Sequence, residues 1–317
     1  MIPESNYTHQ SVMTDEVVAS LAAQHPGLYL DCTLGGGGHS RAILTTCKDC
    51  HVIGVDRDPA AIAAARLYLD DYRQAITLVK GNFRDLDVIV RELFPTMTNP
   101  LLDGIVFDLG VSSPQLDDES RGFSYWGSHE LDMRMDSTQQ LTAAIILSEA
   151  SEDELTRIIL EYGEERWASR IASFIIKARE HTRIETVDQL VHIISDAIPA
   201  AARRQGGHPA RRTFQALRIA VNDELGALQE ALPKATEMLK PGGKMVVISF
   251  HSLEDRLVKA FFSEAANPCK CPPRYPCVCG LKPILKLYNP KVVYASSQEI
   301  LKNPRARSAK LRVAQRI

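Results

Sequence analysis

Asp31-Cys32-Thr33-Leu34-Gly35-Gly36-Gly37-Gly38-His39 stands between a short apolar run, Leu28-Tyr29-Leu30, and a helix-sized segment that continues to about Thr46. A strand that ends in glycines and opens a helix is the ligand-binding turn of an open parallel sheet. Ligands bind beyond the carboxyl ends of such strands, and glycines let the backbone approach them. A phosphate-binding P-loop needs Gly-Lys-Ser/Thr, and this stretch has no lysine. A dinucleotide loop needs G-x-G-x-x-G/A, but the third glycine position is Ser40 counted from Gly35 and Arg41 counted from Gly36. The next apolar run, His51-Val52-Ile53-Gly54-Val55-Asp56, ends in an acid able to accept hydrogen bonds from both hydroxyls of a ribose. NAD and S-adenosylmethionine share that ribose, so Asp56 alone leaves both open. The failed phosphate fingerprint favours S-adenosylmethionine, which has no phosphates.

Outward from this turn, strand and helix alternate. Pro59 to Leu69 is alanine-rich and reads as a helix with proline in its first turn. Ile76-Thr77-Leu78-Val79 is a third strand, followed by Gly81-Asn82-Phe83, where Phe83 either flanks an adenine ring or serves as a core aromatic. After a helix over Leu86–Leu93, Asp103 to Asp108 is a fourth strand. Nearly continuous apolar strands separated by helices indicate a parallel sheet covered on both faces. From Pro114 to Arg212 the rhythm breaks into a charged loop and helical repeats such as Leu155, Ile158, Ile159 and Tyr162. It resumes with an apolar stripe from Phe214 to Leu232 read as one long helix, a stop at Lys240-Pro241-Gly242-Gly243, and a fifth strand over Met245–Phe250. A helix capped by Ser252 follows, and the chain closes with an alternating strand over Ala309–Ala314. The expected fold is α/β, a doubly wound Rossmann-like sheet built from 1–113 and 213–317, interrupted by a mainly helical insertion over 114–212.

Composition sets the outer limits. In 317 residues, 45% are hydrophobic and 24% charged, enough to bury a core. No run of about 18 apolar residues is present, and the first residues lack a basic and an apolar region, which points away from membranes and secretion and towards the cytoplasm. Seven cysteines are an odd number, and without a secretion signal they read as reduced thiols or a metal site rather than a disulfide framework. Two form Cys47-x-x-Cys50. Four crowd into Cys269-x-Cys271-x5-Cys277-x-Cys279, which can hold a tetrahedral Zn2+ or stay reduced in a proline-rich turn. Net charge is −2, but Pro199–Thr213 carries four arginines and no acid, and Lys282 to the end carries nine basic residues and one acid, Glu299. Local basic surfaces on a near-neutral chain suit a selective polyanion binder.

At Asp108-Leu109-Gly110-Val111-Ser112-Ser113-Pro114-Gln115-Leu116-Asp117 the chain closely resembles the ribosomal RNA small subunit methyltransferase H family. The resemblance runs nearly full length. It takes in His9-Gln10-Ser11-Val12-Met13, Gly37-Gly38-His39, Val55-Asp56-Arg57-Asp58-Pro59, Arg121-Gly122-Phe123-Ser124 and Leu131-Asp132-Met133-Arg134-Met135-Asp136. It continues through Tyr162–Arg166, Arg212–Ile219, Ile248–Arg256 and Asn303–Ser308. It implies a class I methyltransferase fold with an inserted helical, substrate-recognising domain. The implied activity is methyl transfer from S-adenosyl-L-methionine to the N4 amine of a cytidine in the decoding region of bacterial 16S rRNA, within a small-subunit particle. Carried over position by position, Gly37, Gly38, His39, Asp56, Phe83, Asp108 and Gln115 are the implied cofactor contacts. Many exocyclic-amine methyltransferases place Asp/Asn-Pro-Pro-Tyr/Phe after the fourth strand. Here Leu-Gly-Val follows Asp108, with no stacking aromatic at that spacing; Phe123, Tyr125 and Trp126 are candidates to supply one, and the base-stacking residue stays unassigned.

Asp108 is the expected general base, with the alternative that it holds the methionine amine, and His251 is a second candidate. Arg203, Arg204, Arg211, Arg212, Arg305 and Arg307 are expected to meet phosphates, because the guanidinium fork makes paired bonds to them; Lys310 and Arg312 extend that basic tail. Competing readings are a protein or small-molecule methyltransferase, an NAD-dependent oxidoreductase, and a non-catalytic RNA-binding factor.

Overall fold

The computed structural model describes residues 11–317 apart from 23–25, 97–100, 204–206, 273, 275, 277 and 290. His9, Gln10, Arg204 and Cys277 therefore lie outside the described residues. The chain divides into two compact units, one formed by residues 1–110 and 225–317 and the other by Val111–Glu224.

The first unit opens with α1 (Thr14–Leu21), β1 (Leu28–Asp31), α2 (Gly38–Thr46), β2 (His51–Asp56), α3 (Pro59–Tyr68), β3 (Ile76–Lys80), α4 (Leu86–Leu93) and β4 (Leu102–Asp108). The second unit supplies α5 (Ser113–Asp117), α6 (Ala143–Glu149), α7 (Glu152–Gly163), α8 (Ala168–Arg179), α9 (Val187–Ala197), α10 (Ala200–Arg203) and α11 (Arg211–Asn222). The chain then returns through α12 (Glu224–Met238), β5 (Leu239–Ser249), α13 (Ser252–Ala266), β6 (Leu285–Leu287), β7 (Val293–Tyr294), α14 (Ser297–Lys302) and β8 (Lys310–Arg316).

The sheet order is β3-β2-β1-β4-β5-β8-β6, with β7 also on β8. β1 to β5 run parallel, and β8 is antiparallel to β5, β6 and β7. The order reverses between β1 and β4, which opens the crevice where ligands of such sheets bind. Three strands around that switch point end in acids: Asp31 on β1, Asp56 on β2 and Asp108 on β4. Leu30, Ile53, Ile105 and Phe107 are fully buried, as strands covered on both faces require.

Several local expectations change. The stripe from Phe214 to Leu232 is two helices, because Asp223 takes a left-handed conformation (φ 45°) between α11 and α12. Apolar periodicity continues across such a break and so hides it. Lys240–Gly243 does more than stop a helix: it is an irregularity inside β5, where the register shifts between Leu102 and Gly104 of β4. The cap of α13 is His251 rather than Ser252. Cys47 and Cys50 are a disulfide pair rather than reduced thiols; they close the short turn between α2 and β2, which brings their Cα atoms to 5.5 Å. The second unit ends at Glu224 instead of 212 because α11 packs on α7 within it. At that contact a Cβ on Gly163 would stand 2.7 Å from the Arg212 carbonyl oxygen.

The second unit has its own apolar core, including Phe123, Leu131, Leu155, Ile171, Leu190 and Phe214. Its Leu131–Asp136 segment is tied down from two sides. Arg121 donates to the Arg134 and Met135 carbonyls at 2.9 and 3.0 Å. The buried Asn222 side chain accepts from Met135 N at 2.8 Å and donates to the Met133 carbonyl at 2.7 Å. Two of the sequence runs quoted above are thus parts of one hydrogen-bonded device.

Candidate active site

The turn after β1 is held by its own backbone and by two acids. Leu34 N donates to the Val55 carbonyl at 3.0 Å, and Gly37 N donates to Leu34 O at 2.8 Å. Gly37 caps α2 with φ 87°, a conformation that disfavours any side chain. A Cβ on Gly38 would collide with the Ser11 hydroxyl. At Gly35 (φ 51°) an added Cβ would meet only the Thr33 carbonyl oxygen, at 3.9 Å, so that face of the backbone is open to a ligand. Asp31, which sequence reading passed over, is fully buried beneath the turn and accepts from Ser40 Oγ at 2.7 Å and Thr33 N at 3.2 Å. Its signal was present as an acid closing the strand just before the glycines.

Asp56 bridges the two turns. Its Oδ2 accepts from Gly35 N at 2.8 Å and its Oδ1 from Asp58 N at 2.9 Å. Burial pushes its carboxyl up to about 6, against the two N–H donors, which pull it down, and the Asp58 and Asp31 charges, which add to the rise. Asp58 caps α3 by accepting from Ala60 N at 2.9 Å. Phe83, just past β3, is half-buried and meets Phe107 edge-on at 5.7 Å. It is therefore packed against the core of the first unit, as one of its two readings has it.

Asp108 ends β4. Its backbone N–H donates to Thr33 Oγ1 at 2.6 Å, tying β4 to the glycine turn. Asp108 Oδ2 lies 3.2 Å from His39 Nε2, and Asp108 Oδ1 is buried with no protein partner. A buried unpaired carboxylate oxygen costs about 1–3 kcal/mol unless something donates to it. Asp108 itself closes β4, one of the two strands that flank the switch point. His39 is 3% exposed, and its Nδ1 is also without a partner. Burial alone would lower its pKa, but the bond to Asp108 and the charges of Asp108, Asp31 and Glu299 outweigh it, so the imidazole is shifted upward.

The remaining expected residues divide. His251 caps α13: its Nδ1 accepts from Glu254 N at 3.4 Å, and its Nε2 lies 3.1 Å from Glu254 Oε1. The cap satisfies Nδ1 alone: Nε2 is buried and makes no hydrogen bond despite its proximity to Glu254. Gln115 stands in the second unit, where its Oε1 accepts from Ser112 N at 3.0 Å in a capping box at the start of α5. Phe123 is 7% exposed in the core of that unit, so its ring is not presented to a base. Arg203, Arg211, Arg305 and Arg307 are exposed. Arg212 is exposed but donates to the Glu164 carbonyl at 3.1 Å. Lys310 and Arg312 bind Asp255 at 3.2 and 2.7 Å and so brace β8 against α13 instead of facing a polyanion. Cys32 is buried, and burial with the Asp31 charge pushes its thiol well above the ordinary range, so it is unreactive. Cys269, Cys271 and Cys279 bring their sulfurs within 4.8 Å of one another.

A seven-strand order of this kind with one antiparallel strand beside β5, a glycine turn without a phosphate fingerprint, and an acid closing β2 define an S-adenosylmethionine-dependent methyltransferase of class I. The residues fit that cofactor: Gly35 leaves backbone open, Asp56 offers acceptors for two hydroxyls, and Asp108 has an acceptor to fill. Comparison with known proteins agrees. Residues 6–317 match the MraW methylase family, and the chain belongs to it. Ribosomal RNA small subunit methyltransferase H of Heliobacterium modesticaldum is 54% identical over 98% of this chain and 99% of its own. The protein of the same name from Symbiobacterium thermophilum is 51% identical over 96% of each chain. That of Geobacter sulfurreducens is 50% identical over 98% of this chain and 99% of its own. The sequence expectations of family and of an α/β methyltransferase sheet with a helical insertion hold. Among the described residues no helix is long and apolar enough to cross a membrane.

Proposed function

We propose that this enzyme transfers a methyl group from S-adenosyl-L-methionine to the N4 amine of a cytidine in the decoding region of 16S rRNA, acting in the cytoplasm on a small-subunit particle. The observation that carries the reading is the full-length match to relatives named for small-subunit ribosomal RNA, and the site chemistry supports it. The cofactor supplies an electrophilic methyl carbon on a sulfonium. The cytosine amine is a weak nucleophile because its lone pair is delocalised into the ring. Asp108 Oδ1 accepts an N–H of that amine, which localises the lone pair on nitrogen. As the N–C bond forms and the S–C bond breaks, the extra proton on nitrogen passes to Asp108. Gly35, Gly37, Gly38, Asp56 and Phe83 aim the cofactor, and correct aim with water excluded matters as much as the base. Gln115 completes the cofactor contacts, and the inserted unit recognises substrate. Arg203, Arg211, Arg212, Arg305 and Arg307 contact phosphates, together with Arg204, which lies outside the described residues. A second reading, in which Asp108 holds the cofactor's methionine amine, draws on the same open oxygen, and kinetics separate the two.

Cofactor affinity carries a pH signature. Ribose hydroxyls donate to the ionised Asp56, so a proton on that carboxylate competes with the cofactor. With Asp56 at about 6, affinity is expected to be flat above that pH and to fall up to about tenfold per unit below it. For the free fold the sign is opposite. A raised carboxylate opposes folding at neutral pH, and that penalty is relieved as pH falls through about 6 towards 4. Asp56→Asn is expected to abolish the slope in calorimetry, and Asp56→Ala to weaken binding by about 1–3 kcal/mol. Unchanged affinity in both variants would remove Asp56 from the cofactor.

The thiolates of Cys269, Cys271 and Cys279 further hold a structural Zn2+. Zinc with tetrahedral sulfur ligands at about 2.3 Å separates the sulfurs by about 3.8 Å, and the three sulfurs here lie within 4.8 Å of one another. Cys277, the fourth expected ligand, lies outside the described residues. Protein purified without chelator is expected to contain about one zinc per chain and to lose it in Cys271→Ser. Well under one zinc in the unaltered protein would leave these residues as plain thiols.

A further inference from the structure

Among the described residues of the second unit, Trp126 is the most exposed large hydrophobic side chain, at 63%. It is not an isolated surface residue. The Tyr125 ring lies parallel to that of His208, with centroids 4.4 Å apart and planes 11° apart. Trp126 meets the same His208 ring at 4.9 Å and 60°, and the Tyr125 ring at 5.6 Å and 53°. Tyr125 in turn stands edge-on to Phe214, which is 4% exposed. The rings form a chain that starts in the core of the unit and ends in a bare indole.

Local backbone fixes this arrangement. Trp126 N donates to Ser124 Oγ at 3.2 Å, and Gly127 turns the chain away with φ 89°. His208 Nδ1 accepts from Ala210 N at 3.3 Å, and the His208 carbonyl accepts from Arg211 N at 3.1 Å at the start of α11. The imidazole is thus clamped at the foot of a helix whose first residues are two arginines. Burial shifts His208 downward, which keeps the ring neutral and usable as a flat stacking partner. The carboxylate of Glu119, which neighbours Gly127, is bound to His129 at 2.7 Å.

A rigid exposed aromatic backed by two stacked rings, with exposed Arg203 and Arg211 on the segments flanking His208, is how proteins hold unpaired nucleotides. Every base presents a π-face to the ring, and guanidinium groups follow the phosphates. Double-stranded RNA does not offer such a face, because its bases are stacked on one another. We propose that Trp126, supported by His208 and Tyr125, is a platform on which an unpaired base of the substrate RNA stacks. This rests on the reading of ribosomal RNA as substrate and adds to it a contact outside the methyl-transfer crevice residues. An apolar protein partner is the competing occupant, but the arginines next to His208 favour a polyanion.

The chain has two tryptophans, and the other, Trp167, is half-buried, so Trp126 can be followed by its fluorescence. The full-length protein, Trp126→Phe and Trp126→Ala are titrated with a short single-stranded RNA of the small-subunit decoding sequence. S-adenosylmethionine binding is measured in each as a check on folding. Quenching is expected in the unaltered protein and not in Trp126→Ala. The alanine variant is expected to bind the RNA roughly 5- to 100-fold more weakly with cofactor affinity unchanged, while phenylalanine restores most of the loss. Equal RNA affinity in the alanine variant, with normal cofactor binding, would overturn the platform. So would a weakened affinity for the small-subunit particle with naked RNA affinity unchanged, since that points to a protein occupant. Failure of the unaltered enzyme to methylate the particle would sink the substrate reading instead. An unaltered enzyme that methylates, beside an alanine variant with the same KM for the particle, would sink the platform alone.

Discussion

Asp108→Asn is expected to lower the single-turnover rate of methylation by about 10²–10⁴-fold at saturating cofactor, the range typical of a positioned general base. The substitution keeps the size of the side chain and its acceptor oxygen, so β4 and its tie to Thr33 Oγ1 stay intact. It removes the charge that localises the amine's lone pair and the site that receives the proton. An amide also pairs less well with His39, because one of its two ends is a donor. The measurement is rapid mixing of excess enzyme with a small-subunit particle that lacks the mark. If the saturated rate is intact and only cofactor affinity falls, Asp108 is a ligand of the methionine amine. The base would then have to be sought elsewhere, first at His251, whose Nδ1 is engaged by Glu254 N while its Nε2 makes no hydrogen bond.

His39→Ala is expected to cut the same rate by about tenfold to hundredfold, while S-adenosylmethionine affinity moves by less than about threefold. The argument is geometric. His39 Nε2 lies 3.2 Å from Asp108 Oδ2, and that contact leaves Oδ1 as the open acceptor. Without it the carboxylate can rotate, and an error of about 1 Å in aim costs on the order of 10²-fold. His39→Gln keeps an N–H donor at similar reach and is expected to recover part of the rate. A purely structural role for this buried ring would show as lost thermal stability in both variants with no rescue. A role confined to the cofactor would show in its dissociation constant rather than in the saturated rate.

Legibility in the sequence followed the range of the interactions. The glycine turn and the acids Asp56 and Asp108 were readable because strand, turn and helix start are local and each residue type has a specific use there. The helical insertion was readable from the loss of strand patterning, though not its far end, because α11 belongs with α7 through a contact at Gly163 that no periodicity reports. The break at Asp223 was hidden for a similar reason: a residue in the left-handed region does not interrupt the spacing of apolar side chains around it. The pairing of His39 with Asp108 joins residues far apart in the chain, and only the parallel register of β1 and β4 brings them together. Lys310 and Arg312 looked like part of a basic tail until Asp255 of α13 appeared beside them. His251, a second candidate base, also caps α13 in a capping box with Glu254, one residue removed from the Ser252 cap expected from the sequence.

The central claim is that this chain methylates the N4 amine of a cytidine in small-subunit ribosomal RNA. The most direct test incubates the enzyme and radiolabelled S-adenosylmethionine with small-subunit particles lacking the mark, then locates the label by nuclease digestion and mass spectrometry. The account predicts about one methyl group per particle, on N4 of a single cytidine in the decoding region of 16S rRNA, and its loss in Asp108→Asn. A methyl group on a ring carbon, a ribose hydroxyl or a ribosomal protein, or no transfer by an enzyme that binds the cofactor, would contradict it.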